Sequence, residues 1–533
     1  MTASPSAFPS SALARSAGVT GAATLASRIL GLARDQVLAA FFGAGSDMDA
    51  FIVAFRIPNL VRDLFAEGAM SAAFVPTFTR RLTLDGKPQA WSLANHLISA
   101  LLLVTGVLVV VGIVFAAPIT SAYARDFGSV PGKLELTVRL TRVLLPFLMM
   151  VAVAAAAMGM LNSLHYYFVP ALSPALFNVA MIAGAFTLVP LMPLLGLPRI
   201  TAIAIAALGG GALQVLAQWP SLHREGFRFR VSFDFRDPGL RQVLVLMGPG
   251  TVGLAATQVN LFVNTVLATS QGTGAVSWLS YAFRLMYLPI GLFGVSIATA
   301  TLPAVSRHAA IDDREGIRHT VAQAIAMMLV LNVPATFGLV ALSEPIVRLL
   351  FERGRFLPAD TAATAAALRF YAVGLVGYAT ARIASPVFYA IGRSRVPVLV
   401  SISTIVLNVV VNLIFVRVLG FRGLALGTSV AMMANGILLL ALLHRQLDGL
   451  DERQLATTFV KIVIASSVMT AAALGIDHVF RPITAGRGVV PQAAQVFVAI
   501  SVAVAVLTTA AKALRIREFE QALSGLTARL KQM

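Results

Sequence analysis

Two apolar segments near the start of the chain carry charged side chains where a spanning helix is normally uncharged. At the centre of such a helix, each Arg, Lys or Asp costs about 2.5 to 3.5 kcal/mol on insertion scales. Four of them at depth would cost on the order of 10 kcal/mol, which is comparable to the whole stability of a domain. The two segments therefore predict compensating partners or a water-filled cavity. The charged residues are Arg28, Arg34 and Asp35 in the first segment, and Asp49, Arg56, Arg62, Asp63 and Glu67 in the second.

Helical spacing gathers these polar groups onto single faces. In the second segment they recur every three to four positions, which is the repeat of one helix face. Arg28 and Asp35 are seven positions apart and likewise share a face of the first segment. A later apolar segment holds a lone cation, Arg284. The stripe of the second segment comprises Asp49, Arg56, Asn59, Asp63 and Glu67, with Arg62 at its edge.

The cations in these segments point to a phosphate-bearing ligand. Arginine outnumbers the acids nearby, so the surplus positive charge needs an anion from elsewhere. A planar guanidinium group grips two phosphate oxygens at once, whereas the ammonium of lysine acts as a point charge. The alternative is that some charges form packing ion pairs or reach the membrane surface, which fits residues near the predicted helix ends. The surplus cations are Arg28, Arg34, Arg62 and Arg284, and the residues near the ends are Asp63, Arg80 and Arg81.

The sequence lacks the residue patterns that metal binding, disulfide formation and ATP hydrolysis require. The seven histidines are scattered without ligand spacing, and the chain has no cysteine, so neither a metal site nor a disulfide is predicted. No Walker loop is present, which argues against ATP hydrolysis by the chain itself. An enzyme acting on polyprenyl phosphates usually needs metal-binding acids or a paired acid and base. The sequence offers none outside the arginine-rich segments, so we expect no enzyme activity and no cofactor.

The composition identifies the elements that position these residues. Of 533 residues, 58% are hydrophobic and only 12% are charged, which indicates that the bilayer is the solvent of the chain. Apolar runs long enough to span a membrane number about fourteen. The runs lack the alternating pattern of an outer-membrane barrel. The predicted fold class is therefore all-α, a polytopic membrane protein.

The net charge of +18 has an ordinary explanation in such a protein. Cytoplasmic loops of membrane proteins collect Lys and Arg, so the charge does not indicate nucleic acid. If the span count is right, most of the basic loops fall on one side together with both termini. The sequence thus predicts an inner-membrane protein with its N- and C-termini in the cytoplasm. No cleaved signal peptide is predicted at the N-terminus.

An internal repeat divides the chain. The segment Ala54–Ile57 matches Ala282–Leu285 at an offset of 228, and Val169–Pro170 matches Val396–Pro397 at an offset of 227. Two matches at nearly one offset favour a duplicated unit of six helices, as in many transporters. The predicted parts are a tail at 1–17, a first lobe at 18–222, a second lobe at 240–446, two added helices at 458–512 and an amphipathic C-terminal segment at 513–533.

These residues resemble the MurJ (MviN) family of lipid II flippases, within the multidrug/oligosaccharidyl-lipid/polysaccharide exporter superfamily. The resemblance covers most of the chain, and its most specific part lies in the first two segments. The specific blocks are Ser27–Asp35, Phe42–Gly45, Asp49–Phe51, Pro58–Leu60 and Phe65–Ala69. Supporting blocks are Leu161–Ser163, Ser173–Pro174, Arg284–Met286, Leu350–Gly354 and Phe388–Ala390.

The resemblance implies a V-shaped pair of six-helix lobes around a cationic central cavity, with two extra C-terminal helices. It implies that the chain carries lipid II, an undecaprenyl pyrophosphate bearing a peptidoglycan precursor, to the periplasmic leaflet. Membrane lipids and the cell-wall synthesis or division machinery are the further partners it suggests. The cavity residues carried over are Arg28, Arg34, Asp35, Asp49, Asn59, Arg62, Ser277 and Arg284, and Glu67 is carried over as a gate.

The chain departs from some relatives at a sodium site. Where those relatives have carboxylates, this chain has neutral side chains, which argues against coupling to sodium and leaves a candidate ion site of neutral oxygens. Two alternative functions remain open at this point. One is export of another polyprenyl-linked glycan or of drugs by the same architecture, and the other is a scaffold without transport. The candidate ion-site residues are Asn264, Asn408, Asn412 and Thr428.

Overall fold

The computed structural model describes residues 10–63, 70–290, 295–484, 488–521 and 523–524. Within these ranges the chain is helical and contains no strand, which confirms the predicted all-α class. Helices satisfy their own backbone polar groups, as a chain in lipid requires. The first ten are α1 (Ser10–Phe42), α2 (Ser46–Arg62), α3 (Met70–Leu84), α4 (Lys87–Val114), α5 (Ala116–Ala124), α6 (Lys133–Leu144), α7 (Phe147–Ser163), α8 (Phe168–Thr187), α9 (Thr201–Arg224) and α10 (Pro238–Thr269). The others are α11 (Ala275–Pro289), α12 (Val295–Ala310), α13 (Arg314–Ala341), α14 (Ser343–Phe351), α15 (Pro358–Val373), α16 (Leu375–Ala390), α17 (Arg395–Leu419), α18 (Phe421–Gln446), α19 (Glu452–Thr484) and α20 (Val489–Ala513).

Many of these helices match the dimensions of a bilayer. Over the described residues, nine spans are long and apolar enough to cross a membrane, or ten if a bent helix pair counts as one span. The chain is thus a multi-pass membrane protein. Helices α2, α3, α11 and α12 adjoin residues outside the described ranges, so the number of fourteen spans stays a prediction.

The chain forms two compact units, residues 1–274 and 275–533. The first unit contains α1 to α10 and the second contains α11 to α20. The repeat places α10 at the start of the second lobe, whereas in the structure α10 packs with α3, α4 and α5 of the first unit. The lobe boundaries derived from the repeat stay a prediction.

Small residues let the helices of the first unit approach closely. Gly184 of α8 faces Ala206 of α9 with no room for a further methyl group between them. Gly211 of α9 likewise accommodates the ring of Phe147 on α7, which lies 2.9 Å from where a Cβ would stand. Such contacts replace the hydrophobic driving force that is absent between helices in lipid.

The start of α10 is fixed by a charged cluster outside the spans. The Asp237 carboxylate caps the helix by accepting the N–H groups of Gly239 at 2.7 Å and Leu240 at 3.1 Å. Arg81 of α3 donates to both of its oxygens at 2.9 Å, and His96 Nδ1 lies 3.1 Å away. Burial by itself would raise the pKa of Asp237, but the bonds from Arg81 and the two backbone N–H groups hold that pKa below its ordinary value.

The second unit contains the bent pair. Helices α15 and α16 meet at 42° on either side of Gly374. The Ser429 hydroxyl of α18 enters the bend and donates to the carbonyl of Phe370 at 2.6 Å, which is a common cause of helix kinks. One turn later, the backbone of Gly377 lies against Gly436 of α18, whose added Cβ would stand 2.5 Å from the Gly377 carbonyl oxygen.

The last two helices pack on the second unit through small apolar side chains. Ile462, Ala465 and Met469 of α19 and Ala499 and Ala503 of α20 form one buried cluster. Val330 and Val333 of α13 complete it. The opposite faces of α19 and α20 expose valine, isoleucine and phenylalanine, as a lipid-facing surface would.

Candidate functional site

The guanidinium group of Arg34 on α1 bonds to side chains on two helices of the first unit, α1 and α8. Its Nη2 and Nε donate to Asp35 Oδ1 at 2.8 and 3.1 Å. Its Nη1 donates to Asn178 Oδ1 on α8 at 3.0 Å, and the Asn178 amide returns a bond to the carbonyl of Ser27 at 3.1 Å. The carboxylate of Asp35 is buried. These bonds fix the guanidinium plane, which is the group that would meet a phosphate.

Asp49 lies in a fully buried ion pair. Its Oδ2 is 2.8 Å from Nζ of Lys133 on α6, and the two side chains are only 0% and 1% exposed. The same oxygen accepts the N–H of Gly274 at 2.7 Å. The ammonium of Lys133 also lies 4.0 Å from the centre of the Phe127 ring. In this conformation Asp49 therefore fixes the N-terminus of α2 to α6, and its predicted role in substrate binding stays a prediction.

The polar stripe of α2 faces a second polar stripe on α10. Arg56 donates a hydrogen bond to the Thr265 hydroxyl, and Gln258 Nε2 donates to Asp63 Oδ2 at 3.3 Å. Asp63 also forms an ion pair with Arg62 at 2.8 Å. The contact pairs are seven residues apart on each helix, so matching faces of two helices meet. Charges that lipid would penalise are placed along this contact.

Buried polar atoms on the same two helices lack hydrogen-bond partners among the described residues. They are Asn59 Oδ1 on α2 and Gln258 Oε1 and Asn260 Oδ1 on α10. Buried polar groups in native structures are nearly always satisfied by protein or by ordered water. Asn59 and Gln258 share the facing stripes of α2 and α10, so their unsatisfied acceptors indicate room there for water or a hydrogen-bond donor, whereas Asn260, two residues after Gln258, lies on the opposite side of α10.

Two other predicted residues of the first unit are Arg28 and Glu67. Arg28 is exposed on α1, and its side chain makes no hydrogen bond or ion pair within the described part of the chain. Glu67, the predicted gate, lies outside the described residues. The convergence of Arg28, Arg34 and Arg62 with Arg284 on one cavity stays a prediction.

In the second unit, a cation that the sequence analysis did not single out accompanies Arg284. Arg284 is exposed on α11 and Ser277 is buried there. Arg382 on α16 donates to the Tyr287 hydroxyl at 2.8 Å and lies 3.4 Å from the Tyr378 hydroxyl. The two phenols are 3.1 Å apart, and the guanidinium lies 5.6 Å from the centre of the Tyr378 ring.

The candidate ion-site residues are partly brought together. Asn412 Nδ2 donates to Asn408 Oδ1 at 3.1 Å, one turn earlier on α17. Thr428 on α18 turns its hydroxyl to the carbonyl of Leu424 at 2.8 Å, within its own helix. Asn264 lies half-buried on α10, in the first unit. The structure thus pairs two amides, and a site with all four ligands stays a prediction.

Several contact residues were missed by the sequence analysis. Lys133, Asn178 and Arg382 each supply a partner to a predicted residue or extend the set of cations. A signal existed for Asn178, because it is an amide within an apolar run. Arg382 also lies in a predicted span, where its charge alone marks it.

A family model described as Lipid II flippase MurJ matches residues 38–487. The chain belongs to the MurJ family. A MurJ relative from Vibrio cholerae, named a probable lipid II flippase, is 34% identical over 469 residues, which is 87% of this chain and 89% of the relative. A second MurJ relative, from Bdellovibrio bacteriovorus and of the same name, is 36% identical over 461 residues, or 85% and 86% of the two chains.

Solved structures agree with this MurJ assignment. A lipid II flippase MurJ in an inward closed conformation superposes with a TM-score of 0.76 at 26% identity, over 93% of this chain and 99% of that one. An inward-facing multidrug transporter of the MATE family, from the MOP superfamily, gives 0.66 at 18% identity, over 79% and 94%. The second likeness shows the fold alone.

Proposed function

We propose that this chain translocates lipid II from the cytoplasmic to the periplasmic leaflet by alternating access. The match to the MurJ family over residues 38–487 carries this proposal. Relatives named as lipid II flippases are covered over most of their own length, so the likeness is to whole transporters. The charged residues of the apolar helices give the proposal a chemical basis.

The substrate headgroup is a pyrophosphate, and guanidinium groups bind it. Arg34 supports this role because Asp35 and Asn178 fix the plane of its guanidinium group. Arg28 supports it because its exposed side chain has no ion-pair partner within the described residues. Arg62 and Arg284 belong to the same set by their positions in the apolar helices. Asn59 and Ser277 contribute neutral hydrogen bonds, Asp49 shapes the site, and Glu67 acts as a gate.

The remaining assignments follow from the same function. The protein lies in the inner membrane with both termini in the cytoplasm, because the basic loops collect on that side. It is a transporter without enzyme activity, and its further partners are the cell-wall synthesis or division machinery. Lobes 18–222 and 240–446 alternate around the site, with a tail at 1–17 and an amphipathic segment at 513–533. Helices α19 and α20, which include most of the predicted segment 458–512, hold the polyprenyl tail.

The test is transport by the purified chain in vesicles. Fluorescent lipid II, a different polyprenyl-linked glycan and a cationic drug are each offered to the same preparation. Lipid II should reach the opposite leaflet much faster than in empty vesicles, and the other two substrates should not. Faster movement of the other glycan or of the drug would assign the chain to a different exporter class. No movement of any substrate would favour a scaffold.

A further inference from the structure

The link between α9 and α10 alternates apolar and polar side chains without forming a helix. Its apolar row occupies odd positions, and its polar row contains three arginines. Such a period of two belongs to an extended segment with two different faces. The odd row is Phe227, Phe229, Val231, Phe233 and Phe235, and the even row is Arg228, Arg230, Ser232, Asp234 and Arg236.

The backbone of this link is tied to α4. Asn95 accepts the N–H of Arg230 at 3.1 Å and donates to the carbonyl of Arg228 at 3.2 Å, as a neighbouring strand residue would. One turn further along α4, Ser99 accepts the N–H of Ser232 at 3.0 Å. The link therefore runs along α4 rather than projecting into water, and its position relative to α4 is fixed.

This attachment places the link at the edge of the lipid zone. Apolar side chains of α4 become strongly exposed from Leu103 onward, one turn or about 6 Å beyond Ser99. On the other flank, α10 exposes apolar side chains from Leu244, less than two turns after its first residue, Pro238. Residues around Ser232 thus lie beside the boundary where protein begins to face acyl chains.

The apolar row leaves the protein core as it approaches this boundary. Phe227 packs against Trp91 and Trp219, with ring centres 5.2 and 5.8 Å apart, and Phe229 contacts Trp219. The next three apolar residues have no such cover. Val231, Phe233 and Phe235 are 69%, 54% and 53% exposed. Exposed phenylalanine side chains beside an arginine-bearing face are typical of segments that lie in the interfacial layer of a bilayer.

The arginines of the polar row and its flanks carry positive charge without ion-pair partners among the described residues. All of its arginines are exposed, and so are Arg224 and Arg241, which flank the link. Within the described residues none of these five arginines forms an ion pair, and the Asp234 carboxylate of the same row accepts the backbone N–H of Arg236 at 3.0 Å. Glu225 binds Lys87 and Tyr166, and Asp237 binds Arg81.

We propose that residues 228–236 form an interfacial anchor that binds the headgroups of acidic phospholipids. The exposed odd row enters the boundary between headgroups and acyl chains, and the arginines bind lipid phosphates above it. Cytoplasmic loops of membrane proteins commonly contain basic residues, but that tendency alone would explain neither the alternation of apolar and polar residues nor the fixed position of the link along α4. A phosphate-binding function fits arginine, whose fork can engage two phosphate oxygens.

The depth of the apolar row can be measured by spin labelling, since the chain has no native cysteine. Phe233→Cys, Phe235→Cys and Asp234→Cys are labelled in the full-length protein and placed in nanodiscs. Labels at 233 and 235 should be reached by oxygen from the lipid and protected from an aqueous nickel chelate, and the label at 234 should show the reverse. Equal exposure of all three to the aqueous chelate overturns the proposal. Protection of 233 and 235 from both reagents also overturns it, because a protein partner would then cover this face.

The headgroup preference needs a second measurement with a matched charge control. Arg228→Gln/Arg230→Gln/Arg236→Gln is compared with Arg125→Gln/Arg139→Gln/Arg142→Gln, three exposed arginines of the first unit outside the link. Bound phosphatidylglycerol is counted by native mass spectrometry after release from mixed nanodiscs. Each arginine near an acidic surface contributes about fivefold in affinity, so retention should fall at least about fivefold in the first variant and little in the second. Equal loss in both variants, or loss in neither, overturns the proposal.

Discussion

Neutral oxygen atoms contact three of the arginines in the apolar helices. An amide, a hydroxyl or a phenol can fix the direction of a guanidinium group, but it does not cancel the positive charge. Such contacts set the orientation of the group, and for Arg34 the ion pair with Asp35 at 2.8 Å in addition offsets part of its charge. The contacts are Arg34 with Asn178, Arg56 with Thr265, and Arg382 with Tyr287 and Tyr378.

We expect Arg34→Ala to abolish transport of lipid II and Arg34→Lys to restore only part of it. Lysine keeps the charge, but it cannot bridge Asp35 and Asn178 with one planar group. Vesicle transport rates and complementation of a depleted strain, with expression checked, are the measurements. At least a tenfold loss for the Ala variant corresponds to about 1.4 kcal/mol of lost binding.

A double variant separates binding from folding in this prediction. Arg34→Ala leaves the buried Asp35 carboxylate without its cation, which by itself destabilises a protein by about 3 to 5 kcal/mol. Arg34→Ala/Asp35→Asn removes that buried charge and should regain thermal stability while remaining inactive. Normal transport by the double variant would contradict a role for Arg34 in binding pyrophosphate.

Arg382 is expected to act with the cations of the second unit. Arg382→Ala should weaken binding of a soluble pyrophosphate analogue by about three- to tenfold, whereas Tyr287→Phe should have a smaller effect because the charge remains. The control is Arg422→Ala on α18, an arginine that also lies near an aromatic ring, 5.8 Å from the centre of Phe421. The affinities of the three variants for the analogue are measured by calorimetry and compared with that of the native chain. An equal loss in the control would point to a general charge effect.

At the residue scale, the sequence predicted which charged side chains lie in apolar helices, but it did not predict which residues contact them. Charge within an apolar run was enough to identify Arg34, Asp49 and Arg62. The partner Lys133 could not be found, because it begins α6 and reads as an ordinary loop lysine. Its burial against Asp49 depends on how α2 and α6 pack, which no local pattern encodes.

Helix contacts in this chain depend on single glycines, and one of them can be tested against a matched control. Gly377→Ala puts a Cβ 2.5 Å from the carbonyl oxygen of Met432 on α18, so the helices must separate. We expect a loss of about 1 to 3 kcal/mol in stability, as overpacking typically causes. Gly475→Ala on α19 adds the same methyl group with no atom within 4 Å. It should be neutral or slightly stabilising, and thermal unfolding in detergent compares the two. Equal melting temperatures would contradict the contact.

The cluster at the start of α10 predicts a dependence of stability on pH. Because the folded-state pKa of Asp237 is lowered, its carboxylate stabilises the fold above the unfolded pKa of about 3.9. That contribution is lost as the pH falls through the folded pKa. The melting-temperature difference between the native chain and Asp237→Asn should therefore shrink below about pH 4. Arg81→Ala should weaken the same dependence. A constant difference from pH 7 to pH 3 would contradict this account.

The positions of most helices could be predicted from the sequence, whereas the bends between them could not. Long apolar runs predicted most helices, since lipid requires internal hydrogen bonds. The bend at Gly374 was missed, because it depends on the Ser429 hydroxyl of another helix. The repeat also did not reveal that α10 packs with the first unit. Besides its packing against α3, α4 and α5, α10 bonds to α2 through Gln258 and Thr265, polar residues of a helix interior that the repeat does not mark.

At the scale of the whole molecule, the two ends of the substrate demand different surroundings. A cationic site suits a pyrophosphate, but moving a polyprenyl chain into it would cost about 0.8 kcal/mol for each CH₂ taken out of hydrocarbon. The tail must stay in an apolar environment while the headgroup crosses. Helices α19 and α20, which the sequence pattern predicts to lie outside the repeat, expose apolar side chains along their outer faces, including Val468 and Val504.

We therefore expect Val468→Ser/Val504→Ser to slow transport of lipid II with its full-length tail by about threefold or more, since the loss of apolar contact weakens binding of the tail. A short-chain analogue with the same headgroup should move at its normal rate, because it makes few of these contacts. Val104→Ser/Val107→Ser on α4 is the matched control, since these valines are similarly exposed but lie in the first unit. Transport rates for both substrates are measured in the same vesicles. Equal slowing of the long and short substrates, or the same effect from the control pair, would show that α19 and α20 stabilise the second unit rather than hold the tail.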